Sequence, residues 1–393
     1  MVKRAILTVV TRNYAHYARV LMQACRRFHP EADLFICFAD RPPTDWHESR
    51  SNAHLLFGDQ LGIENWPRFS FQYTPFELAC ALKPYATSTV LERGYEQLLY
   101  IDGDILPYGP LTHPWDTLQQ HSIVLTPHLL KPLPIDGQRP DESAFLASGA
   151  YNAGFYGVRN DAITQAFLTW WKAMCVRHSI VDMAASLFVD QKWLGLVPGL
   201  FEQVGILRHP GYNAGHWSLS QFRFTAAPIT PQSESGVALD GQPLVLFHFS
   251  GMTPNKPEEY LRSQTRTSLS EIPALARLVD DYHQQLAAAG LEACSAWGCG
   301  FDRLNDGTPI HPAWREAIRQ PHPGLAGIID PFDVQTQPEL LKKYQSIEPG
   351  AYKWRRDWRL KWSREQGVSG KVRQAKSRLR DLFSGLKILR RSA

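Results

Sequence analysis

The chain has 393 residues, a net charge of +4 and a hydrophobic content of 44%. This composition, with 28 Pro and 27 Gly, is typical of a loop-rich globular protein and excludes a disordered or fibrous chain. No apolar run approaches the ~18 residues that cross a bilayer, so we expect a protein that is soluble or peripheral to a membrane.

The basic charge is concentrated at the C-terminus. Residues 353–393 contain 14 Lys and Arg and 3 acidic residues, a net charge of +11, which leaves −7 for residues 1–352 of a chain whose total is +4. The basic surface therefore belongs to one segment and not to the whole protein.

The first 250 residues alternate short apolar runs with helical patterns, which predicts βαβ units around a mostly parallel sheet and an α/β fold. The first run is about six residues long, which indicates a buried strand and not a signal peptide. The predicted strands are 5–10, 34–39, 98–101, 123–126, 154–158 and 244–247. The predicted helices are 14–27, 161–176 and 272–289, and the tryptophans of the second are expected in the core.

Two segments, 127–147 and 217–240, are rich in Pro, Ser and Gly and lack periodicity, so we predict loops over a substrate cleft. An irregular stretch is expected from the end of the third helix to about residue 352. The six scattered cysteines indicate reduced thiols and a cytoplasmic protein.

The most informative local motif is Asp102-Gly103-Asp104, which directly follows the predicted strand 98–101. In an extended chain, residues i and i+2 point to the same side, and the glycine permits a tight turn at the strand end. Two carboxylates suit Mg²⁺ or Mn²⁺, whose other positions suit water and phosphate oxygens. The motif alone is also compatible with a solvated turn or a helix cap.

Further segments accompany this motif in chain order: 8–14, 76–85, 151–158, 189–194 and 246–257. Together with the aspartates they resemble the retaining glycosyltransferases of family 8, the group of glycogenin and bacterial lipooligosaccharide galactosyltransferases. The resemblance covers about residues 5–257. It implies a GT-A fold, a Rossmann-like nucleotide-diphospho-sugar transferase domain, and transfer of a hexose from a UDP-sugar to a saccharide or glycolipid acceptor with retention.

The first segment resembles the nucleotide-binding loop of that family. Thr8, Thr11, Asn13 and Tyr14 are expected to contact the pyrimidine and its ribose. From structure alone, Asn13 is equally well interpreted as an ordinary helix N-cap.

Two more segments resemble donor-binding motifs. Lys83 matches a position where the family places a Lys or Arg against the donor phosphates or sugar. Asn152 is expected to contact the donor sugar, and Ala153 and Gly154 to let the sugar ring lie against the backbone, so added bulk there should disrupt the site. As structure alone, the glycine would mark a strand edge.

The segment at Asp190-Gln191-Lys192 resembles the family's Asp-Gln-Asp motif but has Lys192 in place of the second aspartate. By resemblance, Asp190 and Gln191 are catalytic. Asp190 would hold hydroxyls of the donor sugar. Gln191 would lie beside the anomeric carbon and stabilise, or transiently accept, the oxocarbenium-like species.

The last motif resembles the family's His-x-x-Gly followed by Lys-Pro. It makes His248 the third metal ligand with Asp102 and Asp104, a ligand set that suits Mn²⁺ or Mg²⁺. Gly251 and Lys256 belong to the same donor-binding motif, with the lysine meeting the diphosphate. The spacing from His248 to the lysine is longer here than in the family.

The C-terminal segment places apolar residues at helical spacing on one face and basic residues on the rest, which predicts a basic amphipathic helix on an anionic membrane surface. Docking of the apolar face on the protein itself remains open, and nucleic-acid binding is the least favoured alternative. We expect a peripheral protein at the cytoplasmic face of the membrane. The predicted domains are 1–260, nucleotide-sugar-binding and catalytic; 261–350, a helical and irregular accessory region; and 351–393, the basic amphipathic tail.

Two other functions use the same aspartates or pocket. One is a sugar-nucleotide hydrolase or nucleotidyltransferase, which has no need for the sugar contacts of Asn152 and Asp190. The other is a non-catalytic, membrane-peripheral protein that binds a sugar nucleotide.

Overall fold

The structure is a computed structural model and describes residues 2–43, 52–253, 256–261, 264–320 and 322–347. Its strands are β1 (Arg4–Val10), β2 (Asp33–Phe38), β3 (His54–Phe57), β4 (Gln97–Ile101), β5 (Ile105–Pro107), β6 (Ile123–Pro127), β7 (Tyr151–Arg159), β8 (Val181–Asp182), β9 (Leu187–Phe188), β10 (Val204–Ile206), β11 (Ala214–Gly215), β12 (Phe224–Ala226), β13 (Val237–Leu239), β14 (Gln242–Pro243) and β15 (Leu246–His248). Its helices are α1 (Ala15–Phe28), α2 (Trp66–Phe71), α3 (Pro75–Leu91), α4 (Thr112–Gln120), α5 (Glu142–Ser148), α6 (Ala162–Cys175), α7 (Val197–Leu200), α8 (Pro273–Ala288), α9 (Leu291–Ala296), α10 (Pro312–Arg319) and α11 (Pro338–Gln345).

A seven-stranded sheet forms the centre of the fold, in the order β10-β6-β7-β4-β1-β2-β3. Strand β7 runs antiparallel to both of its neighbours, and the other neighbouring pairs are parallel. The predicted α/β class is therefore confirmed. All six predicted strands are present, although β7 begins earlier and β15 later than the sequence indicates.

Helices cover both faces of this sheet, as a mostly parallel sheet requires. Side chains alternate along β1: Leu7 and Val9 face the layer that contains α3 and α6, whereas Ile6 and Val10 face the layer of α1 and α4. Trp171 of α6 is fully buried, which confirms its assignment to the core. Both faces of the sheet are therefore closed, and its carboxyl edge is left for a site.

A second, three-stranded sheet determines the position of that site. Its order is β11-β15-β5, and β5 pairs antiparallel with β15. The chain thus leaves the central sheet at the end of β4, turns, and enters the smaller sheet as β5. His248 lies opposite Ile105 in this pairing.

The predicted loops are wrong in part. Residues 127–147 contain α5, which the side chain of Asp141 caps by accepting from the Ala144 N–H. Residues 217–240 contain β12 and β13, which form a small antiparallel sheet with β14. Elements this short carry too few residues to show a period, so the sequence pattern missed them.

The region expected to be irregular contains helices α9, α10 and α11. Buried arginines of α10 attach it to the end of α2: Arg315 donates to the Phe71 carbonyl at 2.9 Å, and Arg319 to the Gln72 carbonyl at 3.0 Å. All six cysteines are free and buried. The predicted basic tail, 351–393, lies outside the described residues, and the division into three domains stays a prediction.

Within the described part of the chain, the helices are too short or too polar for any of them to cross a lipid bilayer.

Candidate active site

Three potential metal ligands meet at the carboxyl edge of the central sheet. Asp102, Asp104 and His248 each offer one ligand atom, and these atoms lie within 4.8 Å of one another. The side chains of the aspartates are 26% and 32% exposed, and that of the histidine is 7% exposed. The two carboxylates therefore face solvent, and the imidazole closes the cluster from the protein side.

Backbone pairing on both sides of the Asp-Gly-Asp motif brings these ligands together. The Asp102 N–H donates to the Gly154 carbonyl at 2.7 Å, which extends the pairing of β4 with β7. The Ile105 N–H donates to the Asp102 carbonyl at 3.0 Å and closes a turn, and the Phe249 N–H donates to the Asp104 carbonyl at 2.9 Å. The carboxylates converge because of this turn, and the expected extended geometry is wrong.

Gly103 is required for space rather than for an unusual backbone conformation. The predicted tight turn at the strand end is present, but the φ of Gly103 is not positive, so the turn does not use the left-handed conformation that favours glycine. A Cβ at this position would lie 3.0 Å from a methyl carbon of Val10 and 3.5 Å from the Cβ of Tyr17. The turn therefore lies directly against β1 and α1.

The donor set fits a divalent cation. His248 Nε2 lies 3.1 Å from Asp104 Oδ1, and adjacent ligands of an octahedral ion at about 2.1 Å are separated by about 3.0 Å. Two carboxylates and one imidazole suit Mn²⁺ and also accept Mg²⁺. Burial opposes ionisation of Asp104, but the charge and hydrogen bond of His248, a backbone N–H and the charge of Lys83 together lower the pKa of this carboxyl.

A buried lysine connects the ligands to a second carboxylate. Lys83 of α3 is 4% exposed, and its Nζ lies 3.1 Å from Asp102 Oδ1, 3.3 Å from Asp190 Oδ2 and 3.2 Å from the Ala153 carbonyl oxygen. Burial alone would lower the pKa of this lysine, but the two carboxylates raise it well above its usual range. The ammonium is therefore charged and held among protein groups.

Asp190 lies beneath the site and is 1% exposed. Its carbonyl accepts from Trp171 Nε1 at 3.1 Å, which fixes the backbone at the start of the helical turn Gln191–Leu196. Burial raises the pKa of the Asp190 carboxyl to about 6, although Lys83 opposes this shift.

The side-chain amide of Gln191 is held at both ends. Its Oε1 accepts from the Ala153 N–H at 3.2 Å, and its Nε2 donates to the Ser148 carbonyl at 3.0 Å. Lys192, the departure from the family motif, donates to the Leu146 carbonyl and so joins the same turn to α5. The turn, α5 and the start of β7 form one connected unit.

Asn152 lies behind the metal ligands. Its Oδ1 accepts from the Gly154 N–H at 2.6 Å, so its Nδ2 faces His128 Nε2 at 3.1 Å and His248 Nδ1 at 3.4 Å. Burial lowers the pKa of His128 to about 3, so this ring is neutral. In the structure Asn152 orients the imidazole of His248, and its contact with a donor sugar stays a prediction.

The first loop lies beside the metal ligands. Tyr14 is 46% exposed, and burial together with the charge of Asp104 raises the pKa of its phenol. Thr11 donates to Asn13 Oδ1 at 2.7 Å. Asn13 lies within a helical turn, and Tyr14 occupies the N-cap of α1, so the N-cap interpretation of Asn13 is wrong. Thr8, a residue of β1, is fully buried.

Two predicted donor contacts lie at the exposed end of the last motif. Gly251 has a φ of +81°, in the left-handed region that favours glycine. Lys256 is exposed, and its Nζ lies 2.9 Å from Glu259 Oε1. Binding of Lys256 to a diphosphate stays a prediction.

Sequence reasoning missed Tyr100 and Cys80. The Tyr100 hydroxyl donates to Asp102 Oδ1 at 2.6 Å, and the Cys80 thiol lies close enough to Asp190 to affect the pKa of its carboxyl. Spacing carried a signal for both: Tyr100 precedes Asp102 by two residues in a strand, and Cys80 precedes Lys83 by three in a helix.

Comparison with known proteins gives related chains and folds. No family model matches the chain. It is 25% identical over 252 residues to the uncharacterized protein YfnF of Bacillus subtilis, which covers 63% of this chain and 81% of YfnF.

Two solved glycosyltransferases have similar structures. One is the galactosyltransferase LgtC, with 15% identity, a TM-score of 0.39 and coverage of 72% of this chain and 95% of LgtC. The other is GlyE of Streptococcus pneumoniae TIGR4, with 14% identity, a TM-score of 0.43 and coverage of 76% and 63%. We therefore base the function on the geometry of the site and not on these structural similarities.

The space around Gly154 gives a direct test of the metal site. A Cβ there would lie 2.7 Å from both Asn152 Oδ1 and His248 Cε1, and 3.0 Å from Asp102 Oδ2. We expect Gly154→Ala to displace the ligands and to weaken Mn²⁺ binding roughly tenfold to a hundredfold, the usual effect of disturbing groups around metal ligands. Isothermal titration with Mn²⁺ measures this loss.

Gly195→Ala is the matched control, because a Cβ at Gly195 meets nothing within 4 Å. Its Mn²⁺ affinity should equal that of the unmodified chain. Far-UV circular dichroism establishes that both variants are folded. Unchanged Mn²⁺ affinity in folded Gly154→Ala would contradict the assigned ligand cluster.

Proposed function

We propose that the protein is a metal-dependent glycosyltransferase that moves a hexose from a UDP-sugar to a saccharide or glycolipid acceptor. The observation that carries the proposal is the convergence of Asp102, Asp104 and His248 at the carboxyl edge of the sheet, where ligands bind in open α/β folds. The motifs that supply these residues resemble family 8, which adds a GT-A fold and retained configuration to the proposal.

The charge of the site supports a divalent cation. The ammonium of Lys83 pairs with two carboxylates, those of Asp102 and Asp190, and Asp104 adds a third carboxylate beside Asp102. With His248 neutral, as a metal ligand must be, these groups carry an excess of two negative charges, and concentrated negative charge in a partly buried site is costly. A divalent cation matches that excess.

The difficult step is departure of the nucleoside diphosphate, on which negative charge develops. A bound divalent cation supplies electrostatic stabilisation of that charge. The protein's own contribution is to hold Asp102 in one orientation, through the Lys83 ammonium and the Tyr100 hydroxyl, which both contact its Oδ1. Lys256 is expected to approach the diphosphate from solvent.

Gln191 is proposed to face the sugar, and Asp190, buried beneath it, to hold the turn that carries Gln191. The Gln191 amide is fixed by Ala153 and Ser148, so it offers the oxocarbenium-like carbon a preoriented dipole. In the retaining route, the acceptor hydroxyl attacks the face that the diphosphate leaves, and a donor phosphate oxygen accepts its proton. No dedicated protein base is required.

A sugar-nucleotide hydrolase or nucleotidyltransferase would use the same aspartates. It would not require the connected unit of Asp190, Gln191 and the start of β7. A non-catalytic sugar-nucleotide-binding protein would retain donor binding without turnover. Measurement of the products separates these functions.

The experiment combines UDP-, GDP- and CMP-hexoses with Mn²⁺, using octyl β-glucoside and octyl β-galactoside as acceptor probes. We expect a UDP-hexose to stabilise the protein only with Mn²⁺, by about 2.7 kcal/mol at one hundred times its Kd. Transferred sugar should accumulate without pyrophosphate. Thermal shift and mass spectrometry of the products provide the two measurements.

Asp104→Asn should abolish the Mn²⁺-dependent stabilisation and the transfer, because it removes one anionic ligand. Asp116→Asn, on the exposed face of α4, is the matched control and should behave like the unmodified chain. Release of pyrophosphate, accumulation of free hexose alone, or full turnover by Asp104→Asn would each contradict the proposal.

We further propose that the C-terminal segment, 353–393, attaches the enzyme to the anionic inner face of a membrane. The sequence supports this with a net charge of +11 and an apolar face at helical spacing. Confinement to a surface raises the effective concentration of a lipid-linked acceptor.

Vesicle sedimentation tests this attachment. Binding to vesicles with an anionic lipid should exceed binding to neutral vesicles, and Arg373→Gln with Arg378→Gln should reduce it by about 2 kcal/mol, roughly thirtyfold. The control pair, Arg177→Gln with Arg208→Gln, changes two exposed arginines of the body and should have no effect. Equal binding to neutral and anionic vesicles would contradict attachment through charge.

A further inference from the structure

The first loop has a second contact, on the side away from the metal ligands. The guanidinium of Arg12 donates to the Trp297 carbonyl at 2.9 Å and to the Gly298 carbonyl at 3.2 Å. These residues follow α9 and are almost three hundred positions away in the sequence. We call residues 297–301 the clamp segment.

Asp40 joins the clamp segment to the loop. It follows β2, is 4% exposed, and accepts from the Arg12 N–H at 2.7 Å through Oδ1 and from the Gly300 N–H at 2.6 Å through Oδ2. Arg12 Nε lies 3.4 Å from the same carboxylate. One carboxylate oxygen of Asp40 therefore accepts from the first loop, and the other accepts from the clamp segment.

Helix α9 provides rigid support for the clamp segment. The Ala289 carbonyl, just before α9, accepts from Arg19 of α1 at 3.1 Å, and Cys294 of α9 is buried in the same hydrophobic cluster as Ala18 and Met22 of α1. At the other end, the ring of Phe301 contacts Trp66 edge to face at 5.8 Å. The clamp segment is thus held on both sides of the residue that contacts Asp40.

The loop that these contacts hold ends at the proposed donor site. Tyr14 is two residues beyond Arg12, exposes its ring, and lies close enough to Asp104 for that charge to affect its phenol. Thr11 and Asn13, bonded to each other, lie on either side of Arg12. A shift of Arg12 would therefore be transmitted to all three side chains.

We propose that Asp40, through the clamp segment, is a positioning residue that fixes loop 11–14 for the base of the nucleotide donor. This inference rests on the proposed function, because it requires a nucleotide at the site. It predicts that the region after residue 290 contributes to nucleotide affinity without contacting the metal.

Asp40→Asn tests the inference, because an amide offers only one acceptor oxygen and so breaks one of the two backbone contacts. We expect the Kd for UDP with Mn²⁺ to rise roughly tenfold, equivalent to about 1.4 kcal/mol. Affinity for Mn²⁺ with pyrophosphate, which carries no base, should not change. Asp59→Asn, which alters an exposed carboxylate paired with Arg41 at 2.8 Å, is the control and should leave both affinities unchanged.

Arg12→Met is the second variant and removes the contacts with Trp297 and Gly298. It should weaken UDP binding in the same selective way and carries the test if Asp40→Asn does not fold. An unaltered UDP affinity in a folded variant, or equal losses for UDP and pyrophosphate, would overturn the positioning role. Failure of the unmodified chain to bind UDP would overturn the proposed function as well.

Discussion

The departure of β5 from the central sheet is the constraint on which the site depends. The chain pairs with β7 up to Asp102 and with β15 from Ile105 onward, so the Asp-Gly-Asp turn is fixed from two sides by different sheets. The same β15 pairing carries His248 to the turn. The metal ligands are almost 150 positions apart in the sequence, and the pairing of two three-residue strands, β5 and β15, brings them together.

Electrostatic balance connects this turn to the rest of the site. Lys83 is buried and charged, which is tolerable because Asp102 and Asp190 both pair with it. The ammonium therefore couples the metal-binding turn of β4 to the helical turn that carries Gln191. Because one lysine contacts both turns, a change that moves the metal ligands is expected to move the proposed sugar-binding residues as well, and the reverse.

The sequence predicted β1, β2, β4, β6 and β7 of the central sheet because they are apolar runs of at least five residues, but it did not predict the shorter β3 and β10. It predicted Asp102 and Asp104 as metal ligands because they end an apolar run, and His248 through the resemblance to a family motif. It missed α5, β12 and β13, which are too short to show a period. It also gave Lys83 a direct role at the donor, although the structure surrounds its ammonium with Asp102, Asp190 and the Ala153 carbonyl. Contacts such as Asp40 with Gly300 join distant segments through backbone groups, which no side-chain pattern reveals.

Location of Mn²⁺ in a crystal by anomalous diffraction, with UDP present, tests the central claim most directly. We expect one strong peak within about 2–2.6 Å of both carboxylates of the Asp-Gly-Asp turn and of His248 Nε2. A peak elsewhere, with His248 Nε2 still bonded to Asp104, would contradict it.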